Sequence, residues 1–134
     1  MFICLDLKSA EDDKVRKLYK RIVEEASPEI LDRIIPQIYR EELYNEIMNI
    51  YNFKSASFTC YTMSSIDENK ITNFCAMNGI KVLTIDYRFL TSSLVEKCKS
   101  RGITLYMNTI NDSKELNKYK SKGVQGFFTD FLNP

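Results

Sequence analysis

Short apolar runs rich in β-branched and aromatic residues alternate with longer amphipathic stretches six times along the chain. The first run, residues 2–7, is followed by Val15, Leu18, Tyr19, Ile22 and Val23 at the three-and-four spacing of one helix face. Pro28 and its neighbours break that helix. Residues 33–39 read as a second strand, weakened by Pro36, which cannot donate to a ladder. Leu43, Ile47, Ile50 and Tyr51 line the next helix, and residues 57–62 give a third strand ending near Tyr61, read as a core or rim aromatic.

The same alternation continues to the end. Ser64 or Ser65 is placed to cap a helix with Ile66, Ile71, Phe74 and Cys75 inward. Residues 80–85, 103–107 and 125–128 are the fourth, fifth and sixth strands. Helices carrying Leu94, Val95 and Cys98, and then Leu116 and Tyr119, separate them, the latter opened by Asn111 or Asp112. Gly79, Gly102 and Gly123 each sit immediately before an apolar run, as left-handed helix caps feeding parallel strands do. The pattern predicts one α/β domain over residues 1–134 with a parallel sheet. Periodicity does not separate an open doubly wound sheet from a barrel.

Composition narrows the function classes. A hydrophobic fraction of 44% with eight Tyr and eight Phe supports a packed core rather than a disordered chain. Nineteen basic against 18 acidic residues give no domain-wide field for nucleic acid. The four glycines are dispersed, with neither G-x-G-x-x-G nor G-K-[ST], which argues against a Rossmann or P-loop nucleotide site. Four widely spaced cysteines without a C-x-x-C pair read as small buried thiols in a reducing compartment. No apolar run is long enough to span a bilayer, and the opening apolar stretch is interrupted by Asp6 and Lys8. A cytoplasmic chain is expected. Histidine, the residue most used for acid–base chemistry near neutral pH, is absent.

Four segments then point in one direction. Leu105-Tyr106-Met107-Asn108-Thr109-Ile110-Asn111-Asp112 and Gly123-Val124-Gln125-Gly126-Phe127-Phe128-Thr129-Asp130 resemble the last two strand ends of glycerophosphodiester phosphodiesterases. Leu5-Asp6-Leu7-Lys8 resembles that family's acid-x-Lys strand. Ile34-Ile35-Pro36-Gln37-Ile38-Tyr39 resembles the strand that follows in a branch containing phosphatidylinositol-phospholipase-like proteins. The resemblance implies an incomplete (β/α)8 TIM barrel, about six βα units corresponding to strands three to eight, with a site at the C-terminal strand ends. It also implies metal-assisted hydrolysis of a small-molecule phosphodiester in lipid and glycerophosphodiester metabolism. The family's two catalytic histidines and its Glu-x-Asp metal pair lie on the first two strands, which have no counterpart here.

By resemblance Asp6 is a metal ligand for calcium or magnesium, a hard oxygen donor that is insufficient alone, so cation binding by this chain is expected to be weak or absent. Lys8, two residues on and hence on the same strand face, suits a phosphodiester oxygen. Gln37 could donate to a phosphate or sugar hydroxyl. Asn108 stands where the family has an aromatic or histidine, at a substrate-binding position. Asn111 reads as a helix cap, and Asp130 as a structural residue closing the last strand. Arg33, Arg40 and Arg88 flank strand ends and read as solvated charges.

Loss of two acid–base groups removes roughly two to four decades of rate each, so this chain alone is expected to show little hydrolysis. Three readings stand: a split enzyme completed by a partner segment, a catalytically silent phosphate- or glycerophosphate-binding or assembly protein, and an unrelated α/β fold. Open strand edges invite pairing, so a homo-oligomer or a partner segment completing the barrel is expected.

Overall fold

The computed structural model describes residues 2–7, 11–60 and 62–132. They form two compact units, divided after Ser57.

The first unit contains β1 (Ile3–Leu5), α1 (Asp12–Glu25), α2 (Pro28–Leu31), β2 (Ile34–Ile38) and α3 (Glu41–Ile50). The two strands pair in parallel, with Ile3 beside Ile34, Cys4 beside Ile35 and Leu5 beside Pro36. Ile3 N donates to Arg33 O, so the odd-numbered residues of β2 bond β1 and Pro36 falls out of phase with that ladder. Val15 and Tyr19 of α1 are buried, and Tyr19 donates its hydroxyl to Leu5 O at 3.4 Å while meeting Phe53 edge-on. Burial pushes the Tyr19 phenol well above its usual range. The α1–α3 pair is tied by Arg16, which bridges Glu46 and Asp13. Pro28 does more than end α1: it opens the four-residue α2 at the position where its missing N–H costs nothing.

The second unit contains the greater part of β3 (Ser57–Thr59), then α4 (Glu68–Met77), β4 (Val82–Ile85), α5 (Ser92–Ser100), β5 (Thr104–Met107), α6 (Ser113–Ser121) and β6 (Gly126–Phe127). Strands β4, β5 and β6 are parallel neighbours. Cys60 N bonds Thr84 O, which sets Thr59 beside Thr84. Leu83, Ile85, Leu105 and Met107 are fully buried on one face, and Leu94 and Cys98 of α5 are buried with them. Gly79, Gly102 and Gly123 take φ of 66°, 64° and 100°, the left-handed caps expected from their positions.

Several local expectations are corrected. Asp67, not Ser64 or Ser65, caps α4, accepting from Lys70 N at 3.0 Å. Asp112, not Asn111, caps α6, accepting from the backbone N–H of Lys114 and Glu115. An additional 3-10 turn, Tyr87–Phe89, follows β4 and is capped by Asp86. Each winning cap is the residue nearest its helix with extended backbone angles, which lets its side chain turn back onto the first free N–H groups.

Glu68 at the start of α4 ties that helix to α5. It accepts from Thr91 Oγ1, from Ser93 Oγ at 2.7 Å and from Lys97 Nζ at 2.8 Å. Lys97 and the two hydroxyls hold its carboxyl down to about 2.

Candidate functional site

In the first unit the polar residues collect where β1 and β2 end. Extending the β1–β2 register by one step sets Asp6 beside Gln37, on the face that also carries Ile35 and Tyr39. Tyr39 donates its hydroxyl to the Asp6 carboxylate. Gln37 is only 8% exposed, an unusual depth for an amide, while Asp6 is exposed. Lys8 and Tyr61 lie outside the described residues.

The charges around this end are largely committed to one another. Arg40 pairs with Asp12, and Arg16 with Asp13 and Glu46; Glu11, Asp12, Asp13, Arg16 and Arg40 line an open cleft. Arg33 precedes β2 and so sits at the opposite end of the strand from Tyr39.

A hard divalent cation takes six or more oxygens. Among the described residues no group of three or more His, Cys, Asp or Glu is placed to hold one. Asp6 is already hydrogen-bonded to a phenol. The residues described do not fit the cation that the sequence resemblance implies, and no chemical step is derived through it.

The second unit carries its polar groups on alternate strand positions. Thr59 and Thr84 lie side by side at 0% exposure, and neither hydroxyl has a hydrogen-bond partner. Asn108, directly after β5, buries its side-chain oxygen without a partner as well. Tyr106, paired with Gly126, shares the Thr84 face and meets Phe128 edge-on at 5.9 Å. An aromatic surface is therefore present two residues before Asn108. The β6 strand bulges opposite Tyr106: Gln125 N bonds Leu105 O and Phe128 N bonds Met107 O, three residues against two. The Gln125 side chain returns to accept from Leu105 N at 3.0 Å.

Beyond the strands, Asn111 clasps the last segment. Its side-chain oxygen accepts from Asp130 N at 2.8 Å and from Thr129 Oγ1 at 3.1 Å, and its amide donates to Asp130 Oδ2 at 2.9 Å. Asn111 is a loop fastener rather than a helix cap, and Asp130 is held by it. Arg88 is folded back on Asp86 and over the Phe89 ring.

Reasoning from the sequence missed Tyr39 as the partner of Asp6, and missed Thr59 and Thr84. The signal was available for the threonines. They alternate with Phe58, Cys60, Leu83 and Ile85 in strands that parallel packing buries on both faces, where hydroxyls are out of place unless they have work to do.

No family model matches the sequence, and no curated protein matches it. Solved structures do match the fold. A glycerophosphodiester phosphodiesterase from Parabacteroides distasonis superposes with a TM-score of 0.72 at 19% identity, over 96% of this chain and 53% of its own. An Oleispira antarctica phosphodiesterase, solved with its product sn-glycerol-3-phosphate, gives 0.69 at 13% identity over 96% and 50%. A chain from Silicibacter pomeroyi DSS-3 gives 0.74 at 16% identity over 97% and 46%. The class is thus an incomplete α/β barrel, and the unrelated open-sheet reading falls. More narrowly, the chain has the fold of the glycerophosphodiester phosphodiesterases, and it spans about half the length of the structures it matches.

Proposed function

We propose that this chain is a phosphodiester-binding part of a glycerophosphodiester phosphodiesterase-type barrel that does not hydrolyse its ligand unaided. The observation that carries the proposal is a conjunction: the fold match extends over nearly the whole chain, yet the chain has no histidine and its described residues contain no group of three or more His, Cys, Asp or Glu placed to hold a metal ion. The scaffold supports a phosphodiester as ligand, and a neighbour with this fold holds sn-glycerol-3-phosphate. In the first unit Gln37 supplies a neutral donor for phosphate or glycerol oxygens and Lys8 an ammonium; in the second unit, taken by itself, Asn108 supplies a neutral donor of the same kind. Asp6 is the acid such a site would share with a cation supplied with further ligands.

The test is direct. Purified chain is titrated with sn-glycerol 3-phosphate while amide resonances are followed, and is then incubated with glycerophosphocholine and calcium or magnesium. Saturable shifts without release of glycerol 3-phosphate are expected. Release by material free of other proteins sinks the inactivity, and unsaturable or absent shifts sink the binding.

A second reading, an assembly protein on the same scaffold, is favoured by one observation: Phe2 and Ile3, at β1, are exposed apolar residues.

A further inference from the structure

Strand β1 has one strand neighbour, β2, among the described residues. Among the described residues no strand pairs with its other edge, which lies beside exposed apolar side chains, Phe2 at 71% and Ile3 at 37%. The helix that follows continues this character. In α1, Val15 and Tyr19 face the sheet and Arg16 reaches α3 through Glu46. Leu18 projects on the flank away from α3 and is 43% exposed. It lies on a stripe with Lys14, Arg21 and Glu25, four, three and seven residues away, the spacing of neighbours along one helix face. Strand edge and helix flank are thus open on the same side of the first unit.

We propose that this flank is a self-association face, occupied by a second copy of the chain related by a two-fold axis. The charge pattern favours a copy of itself. Lys14 is paired with Glu11 at 2.7 Å and Arg21 with Glu25 at 2.8 Å, so the ions bordering Leu18 are neutralised within the helix. An identical stripe meets them without net repulsion, and the whole chain carries only +1. An isologous contact is self-complementary by construction, so one apolar patch bounded by balanced charges is sufficient.

The geometry of the pair follows. A two-fold axis across a three-residue strand passes near its middle residue, which sets β1 antiparallel to its copy and the two Cys4 side chains close together. Both α1 helices then lie on the same face of the extended sheet, with Leu18 against Leu18 of the copy. Cys4 is the exposed thiol of the four; Cys60, Cys75 and Cys98 are buried, so Cys4 is a built-in reporter of this contact.

The full chain is examined by light scattering across a range of concentrations, and separately treated with a short bismaleimide. A mass of twice 15.7 kDa is expected, together with a covalent dimer that Cys4→Ser abolishes. Leu18→Glu and Ile3→Lys should each return the mass to the single-chain value with the far-ultraviolet spectrum unchanged. The two variants sit on different elements, so a folding defect in one leaves the other informative. A single-chain mass at all concentrations overturns the proposal. So does a dimer that survives both substitutions and does not cross-link through Cys4.

Discussion

Tyr106 lies over Gly126, in the space a side chain at that position would occupy. The pairing is in register across β5 and β6, and it coincides with the bulge that lets β6 pass the ring. Gly126 is thus required by the close approach of an aromatic ring, since its own backbone angles are ordinary.

Gly126→Ala should therefore destabilise the second unit by about 1–3 kcal/mol through overpacking. The same substitution made in a Tyr106→Ala background should cost much less, because the ring that collides with the new methyl is gone. A denaturant double-mutant cycle measures the difference. Equal costs in both backgrounds would show that the glycine serves the bulge rather than the ring.

The acid stability of the second unit should depend on Glu68. Its carboxyl is held down to about 2 from an ordinary 4.5 by Lys97, Thr91 and Ser93. The unfolded chain takes up the proton first, so this contribution is complete above about pH 4.5. It is lost as pH falls from there through about 2. Glu68→Gln should flatten the pH dependence of stability in that window and cost about 1 kcal/mol at pH 7, a modest value for a partly exposed ion pair. Urea melts at pH 7, 4 and 3 on both proteins test the sign. An unchanged slope in the variant would contradict it.

Much of the fold is legible in the sequence, because it rests on signals that several residues repeat. Val15 with Tyr19, Leu43 with Ile47, and Leu94 with Cys98 are buried as their spacing predicts, whereas Leu18, read onto the same face as Val15 and Tyr19, is 43% exposed. A positive φ is hard for any residue but glycine, which made Gly79, Gly102 and Gly123 readable one at a time. Caps were less legible. Ser64, Ser65 and Asp67 all have the right chemistry, and only backbone angles choose among them. Pro36 weakened a strand that exists, since hydrogen-bond phase is invisible before the register is known. The candidate site was legible only in part. Asp6 could be picked out at the end of the first apolar run by the resemblance of Leu5-Asp6-Leu7-Lys8 to an acid-x-Lys strand, but its partner Tyr39 is 33 residues away and paired through register alone. Asn111 was read locally as a cap, whereas its bonds run to Thr129 and Asp130 at the far end of the chain.

Ligand binding should respond to Gln37. Replacement by leucine keeps the volume and removes the amide, which costs one neutral hydrogen bond of about 1 kcal/mol. A roughly fivefold weakening of sn-glycerol 3-phosphate binding is expected, with thermal stability unchanged or raised by the buried leucine. Titration by calorimetry or amide shifts reads the first, and a melting curve the second. If affinity is unchanged, Gln37 belongs to the core and not to the site.

Cysteine chemistry should divide the molecule sharply. Cys60 is fully buried, donates to Thr84 O at 3.4 Å, and burial pushes its thiol up to about 12. Burial likewise raises Cys98 to about 11, and Cys75 is at 0% exposure. The thiolate is the reactive form, and burial raises the Cys4 thiol as well, so access is what should keep these three inert near neutral pH, with the high Cys60 and Cys98 values acting in the same direction. Native protein at pH 7.5 should release close to one equivalent with a disulfide reagent, from Cys4, and four in guanidinium. Cys4→Ser should abolish the native signal. Rapid reaction of a second thiol in the folded protein would mean that the helix layer over β3 and β4 opens far more readily than its burial allows.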